Sequence, residues 1–140
     1  MTDVKEIGTR NNLPFIRQGT TPHNILFVDD LKNFPVVEDG RKRRKSDPDG
    51  VNTNFVQIID GAFHVRTYER GVEDETMACG TGSTSVAIAS HHLGKLKGNI
   101  CHIKQPGGDL TVEFEKSPDG TYKNIWLTGP AVCVYKGEMN

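Results

Sequence analysis

The chain has 140 residues, 35% of them hydrophobic and 25% charged, with 17 Lys+Arg set against 18 Asp+Glu. That length suits one domain able to bury a core without metals or disulfides, and the near-balance of charge excludes a global field drawing the protein to nucleic acid or an anionic membrane. No stretch approaches the roughly 20 apolar residues of a bilayer span, and the N-terminal MTDVKEIGTRNN lacks the apolar core of a signal peptide, so the expectation is a soluble, cytoplasmic protein with a small polar ligand and no nucleic-acid or membrane partner.

In chain order, short runs of alternating apolar and polar residues bounded by Gly, Pro, Asn or Asp predict strands at 25–28, 54–59, 63–69, 100–104, 110–115, 124–128 and 131–135. The clearest is 110–115, with Leu110, Val112 and Phe114 on one face and Thr111, Glu113 and Glu115 on the other. Gly107-Gly108-Asp109 precedes it and Ser117-Pro118-Asp119-Gly120 follows, turn chemistry that predicts antiparallel pairing with 124–128. Residues 36–50 hold five consecutive basic residues at 41–45 and then Asp47-Pro48-Asp49-Gly50; they read as an exposed loop after at most one helical turn, their charge a solvated face rather than a phosphate or RNA site. The convincing helix is 83–93, STSVAIASHHL, stopped by Gly94. Its small or apolar residues on most sides suit a helix enclosed by sheet. The predicted fold class is α+β: a mostly antiparallel or mixed sheet curled around one central buried helix, about 82–93.

Met77-Ala78-Cys79-Gly80-Thr81-Gly82-Ser83 leads into that helix. Unpaired N–H groups and the positive end of the helix dipole favour negative charge there, stabilising a thiolate or cradling a carboxylate or phosphate. The plainer reading is a glycine-rich turn beside a buried cysteine. Nucleotide binding is disfavoured, since the segment lacks the Lys of GxxxxGK[ST] and the spacing of GxGxxG. Three cysteines, Cys79, Cys101 and Cys133, form a poor disulfide framework and leave at least one thiol free. Cys101 and Cys133 sit in strand patterns away from glycines and read as structural. Adjacent His91 and His92 point about 100° apart on a helix, which argues against a zinc site with Cys101 and His102; they read instead as crowning the helix C-terminus.

YERGVEDETMACGTGSTSVA resembles the second cysteine motif of the diaminopimelate epimerase family, in which Glu-Arg-Gly, an acidic linker, Glu-Thr and Ala-Cys-Gly-Thr/Ser-Gly run into a helix. Thr21-Pro22-His23, Val51-Asn52-Thr53-Asn54-Phe55-Val56-Gln57, Pro106-Gly107-Gly108-Asp109-Leu110 and Leu127-Thr128-Gly129-Pro130-Ala131 follow the family's order, so the resemblance runs from about residue 15 onward. It implies epimerisation of LL- to meso-diaminopimelate, a step of lysine and peptidoglycan biosynthesis, without pyridoxal phosphate or metal. Cys79 matches one of the two opposed thiols that move the α-proton. Glu69 and Arg70 match a substrate-contacting pair, the glutamate also assisting at the reacting centre, and His23 matches a histidine near that centre. Asn52 matches the asparagine that binds the distal end of the substrate, and Gly80 and Thr81 match the donors to its α-carboxylate.

The family's opposing cysteine lies in an N-terminal half, in a Cys-Gly-Asn-Gly type motif that this sequence lacks. The chain therefore reads as a C-terminal-type domain, 1–130, and a terminal strand, 131–140, that in the family returns to the first domain; the expected partners are the N-terminal half, in cis or trans, and a second copy paired along that strand as a homodimer. Thr21 stands where the family has a substrate-touching asparagine, and the linker between Glu69 and Cys79, with Val72-Glu73-Asp74-Glu75, is one residue longer than usual and is expected to bulge outward. The alternatives are a catalytically incomplete amino-acid or carboxylate-binding domain, or a sister isomerase related to proline racemase or to the phenazine pathway.

Overall fold

A computed structural model describes residues 4, 7–10, 12–18, 21–46, 50–69, 72–76 and 80–129. In chain order the elements are β1 (Gly8–Arg10), β2 (Leu13–Gln18), β3 (Thr21–Phe27), α1 (Val36–Ser46), β4 (Asn52–Ile59), β5 (Ala62–Glu69), β6 (Asp74–Thr76), α2 (Gly80–His92), β7 (Ile100–Gln105), β8 (Gly108–Lys116) and β9 (Tyr122–Thr128). The expected strands between residues 25 and 128 are all present, most of them longer than predicted; the expected strand at 131–135 and the 131–140 segment lie outside the described residues.

The strands form one mixed sheet in the order β1-β2-β3-β4-β5-β7-β8-β9, with β6 on the same edge of β5 as β7. Two neighbouring pairs are parallel, β3 with β4 and β5 with β7, and parallel neighbours need a crossover rather than a hairpin. The first crossover carries α1, which packs on β4, β5 and β6; the second carries α2, which packs on β2, β3, β4, β8 and β9. The two edges of the sheet meet, because Val4 and Tyr122 exchange backbone hydrogen bonds of 2.8 and 2.7 Å. That seam closes the sheet around α2.

Enclosure explains the composition of α2. Every residue from Gly82 to Ser90 is buried, and the Gly, Ser and Ala among them let strands approach from several sides at once. The main core joins Val86 to Ala89 of the helix with Ile16, Ile25, Val65, Ile103, Val112 and Phe114 of the sheet. The helix ends where Gly94 takes a left-handed φ of 79°, and Leu93 and Lys95 donate to the carbonyls of Ala89 and Ser90.

Residues 36–46 correct the sequence reading: they form a three-turn helix, not a loop. The charged run dominates the composition, yet Val36 and Gly40 are buried against the outer face of β4 and β5, in a second core with Leu31, Phe55 and Tyr68. A Cβ at Gly40 would collide with Cβ and Cγ of Tyr68, so glycine is what lets the helix approach. Glu38 and Asp39 lie in the first turn and the basic residues follow, the charge order that the helix dipole favours, and Asp39 pairs with Arg43 one turn on. Arg41, Lys42 and Lys45 are exposed, the solvated face expected of them.

Strands β1, β2 and β6 were not predicted. β1 and β6 have three residues each, and β2 contains Pro14, a residue that argues against a strand interior. Among the described residues no helix is long and apolar enough to cross a membrane.

Candidate active site

His23 of β3 lies beside Asn52 of β4 in parallel register, and both are buried. Thr53 pairs with Tyr68 of β5, so one step further along these antiparallel strands Glu69 comes alongside Asn52. Asn52 and Asn54 alternate onto one face of β4, Thr67 and Glu69 onto the matching face of β5. This is the inner face, since Val56 and Val65, further along the same rows, pack in the core that holds α2. The first turn of α2 reaches the same end of the sheet: Thr81 Oγ1 is 2.9 Å from Nε2 of His23. Gly80 is the first helical residue, and Thr21, half-buried, opens β3 two residues before His23. Six of the predicted site residues thus fall on strand ends and a helix start brought to one place. Cys79 and Arg70 lie outside the described residues; in sequence Cys79 immediately precedes Gly80 and Arg70 follows Glu69.

Helix starts leave backbone N–H groups without intrahelical acceptors, which is what an anion would meet here. β6, which precedes this start in the chain, is firmly held. Arg66 donates through Nε and Nη2 to both carboxylate oxygens of Glu75, at 2.8 and 2.6 Å, and through Nη1 to the carbonyl of Leu31 at 2.8 Å. This fork ties β6 to the loop ahead of α1, and the hydrogen bond to Glu75 raises the Arg66 pKa above its ordinary value. The linker therefore bulges only in part: Val72 and Glu73 form an exposed turn, with Glu73 at φ 59°, whereas Asp74 and Glu75 enter β6.

The sequence reading missed a buried polar network beside His23. Asn54 Nδ2 lies 3.0 Å from Nδ1 of His23 and 3.0 Å from the carbonyl oxygen of Asn24, while the Thr67 hydroxyl donates to Asn54 Oδ1 at 2.8 Å. Asn24 in turn donates to the carbonyls of Arg10 and Pro14, at 2.9 and 3.1 Å, anchoring β3 to the β1–β2 hairpin. Asn54 is fully buried and Thr67 nearly so, which is tolerable for such groups only when they are hydrogen-bonded. The available signal was VNTNFV itself, amide and hydroxyl residues within an otherwise apolar strand.

Elsewhere the assignments are structural. Cys101 is fully buried in β7 and burial pushes its thiol pKa up to about 12, so it is no base at neutral pH. Native protein at pH 8 is expected to leave Cys101 unlabelled by iodoacetamide, with labelling after denaturation; modification at the rate of an unfolded peptide would contradict its burial. Cys133 lies outside the described residues. His91, in the last turn of α2, places Nδ1 2.7 Å from the Tyr122 hydroxyl, and burial, with Lys116 and His92 nearby, lowers its pKa. A surface cleft of about 610 Å³ lies at the opposite end of β5 from Glu69, between Asp60, His102, Lys104 and Asp109. It holds none of the candidate residues and is an open saucer between hairpin turns.

A family model described as diaminopimelate epimerase matches residues 15–134. Proteins named diaminopimelate epimerase from Flavobacterium psychrophilum and Chlorobaculum tepidum are 44% and 40% identical over 97% and 91% of this chain; one from Aquifex aeolicus is 38% identical over 90%. The chain covers 54%, 50% and 45% of those proteins, about half the length of the curated relatives it matches. Among solved structures, a phenazine biosynthesis protein of the PhzF family from Enterococcus faecalis shares the fold at TM-score 0.56 and 15% identity, over 68% of this chain and 34% of that one. A Bacillus anthracis protein of the same family does so at 0.55 and 21%, over 84% and 37%. The match of the family model over most of the chain, with the three relatives behind it, makes this chain a member of the diaminopimelate epimerase family.

Proposed function

We propose that this chain contributes one half of the active site of a diaminopimelate epimerase, Cys79 serving as one of two opposed thiols and the other coming from an N-terminal half in cis or in trans. The observation that carries the proposal is the hydrogen bond between His23 and Thr81, which fastens the helix start that follows Cys79 to the sheet end bearing Asn52 and Glu69.

The chemistry follows from what an amino-acid α-proton requires. It is very weakly acidic, and removal leaves charge that spreads onto the carboxylate, so donors must already surround that group. In the proposed site they are the N–H groups of Gly80 and Thr81 and the Thr81 hydroxyl. A thiol has an unperturbed pKa near 8.5, and a helix start lowers it, making a usable base near neutrality. The Cys79 thiolate takes the α-proton, and the opposed thiol returns a proton to the other face of the carbon, inverting it with no redox change. Asn52, with Arg70 and Thr21, binds the substrate beyond the reacting centre, while Glu69 and His23 act close to it. The chain alone lacks the second thiol and is expected to be inactive in inversion.

The test is incubation with LL-diaminopimelate in deuterium oxide, with and without the separately expressed N-terminal half, following α-deuterium by NMR and meso product by chiral chromatography. Label and product only in the mixture are expected. Absence of exchange with both halves folded and associated would sink the epimerase reading and leave a carboxylate-binding module; inversion of another amino acid in its place would point to a sister racemase. For the terminal segment 131–140 we propose pairing with a second copy. The full chain should then elute as a dimer and a version ending near Pro130 as a monomer; monomer elution of both would remove the idea.

A further inference from the structure

We propose that Asn54 is a positioning residue of this site: it selects the Nε2–H tautomer of His23, so that the ring is the donor to Thr81 at the start of α2. The tautomer selection stands on geometry alone; its bearing on catalysis rests on the epimerase reading above.

An asparagine amide fits its density of neighbours in only one orientation here. One end lies 3.0 Å from the carbonyl oxygen of Asn24, which can only accept, so that end is the amide nitrogen. The other end accepts the Thr67 hydroxyl at 2.8 Å, as a carbonyl oxygen must. The amide nitrogen carries two hydrogens, and His23 Nδ1 lies 3.0 Å from it. Nδ1 therefore offers a lone pair, because a proton there would face an N–H donor. The imidazole proton is left on Nε2, which donates to Thr81 Oγ1 at 2.9 Å. In this tautomer the Thr81 oxygen accepts from the ring. In the opposite tautomer Nε2 would be the acceptor and Thr81 would have to give its hydrogen to the ring.

Burial makes the selection strict. His23 and Asn54 are both 0% exposed, so solvent does not compensate a mismatched pair. The tethers of Asn54 to the β3 backbone and to Thr67 of β5 keep it from rotating to suit either tautomer.

The experiment is a long-range ¹⁵N–¹H correlation spectrum of the full chain labelled at histidine, the His23 signals identified by their loss in His23→Gln. Wild-type protein is expected to show unprotonated Nδ1 and protonated Nε2. Thr81→Val is expected to keep that pattern, since the choice is made at Nδ1. Asn54→Asp puts an acceptor where the donor stood and should exchange the two shifts; Asn54→Ala, which buries no charge, should move both toward averaged values. A protonated Nδ1 in wild type, a flip in Thr81→Val, or the wild-type pattern surviving in a folded Asn54 variant overturns the proposal. These signals do not depend on turnover. The Nε2–H pattern without deuterium uptake defeats the epimerase reading alone, and uptake with an Nδ1–H ring defeats the tautomer selection alone.

Discussion

Cys79→Ala is expected to lower α-deuterium uptake from diaminopimelate by roughly 10²–10⁴-fold when the chain is combined with the N-terminal half, the range typical of losing a positioned general base. The motive is the sequence Cys79-Gly80-Thr81 at the start of a helix whose Thr81 is hydrogen-bonded to His23. The described thiol, Cys101, cannot substitute, since it is fully buried with its pKa raised to about 12. Cys101→Ala serves as the control and should leave exchange unchanged. Deuterium uptake by Cys79→Ala at the wild-type rate would mean that another group takes the proton.

The largest effect on stability is expected from Phe114→Ala. Its ring is buried in β8, edge-on to His91 at 5.3 Å and to Tyr122 at 5.4 Å, in the corner where the end of α2 meets the closing strand. Removing it deletes the apolar contact and leaves a cavity, a change that costs about 3–5 kcal/mol and should lower Tm by roughly 10–15 °C. Trp126 of β9 is the larger aromatic but is 68% exposed, and Trp126→Ala should change stability by no more than about 0.5 kcal/mol. Thermal unfolding followed by circular dichroism separates the two; equal shifts would mean that the corner is not packed as described.

How far the sequence could be read depended on how many faces of each element are covered. Strand β8 was plain because only one of its faces is buried, so Leu110, Val112 and Phe114 alternate with exposed or half-buried residues. Helix α2 was plain for the opposite reason, its small residues leaving no polar stripe. Helix α1 was missed because few of its residues touch the sheet, and a window average weighs the basic run more heavily than Val36 and Gly40. The same cause hid Asn54. β4 is covered by α1 on one face and α2 on the other, with residues 52–56 all buried, whereas an asparagine in an alternating pattern reads as facing solvent. Glycines beside a cysteine pointed to the helix start from composition alone; that His23, Asn52 and Glu69 join it came from family resemblance, because no local pattern encodes the pairing of β3, β4 and β5.

The seam between Val4 and Tyr122 also bears on how the chain reaches this state. Its two hydrogen bonds join positions 4 and 122, with β1 to β8 and both helices between them in the chain. Until residue 122 has left the ribosome the sheet has an open side, and the small, uncharged face of α2 on that side stays uncovered. Contacts so distant in sequence are slow to form, and unfinished sheets with bare strand edges associate readily. Weakening this closure is therefore expected to lower the yield of folded protein on expression.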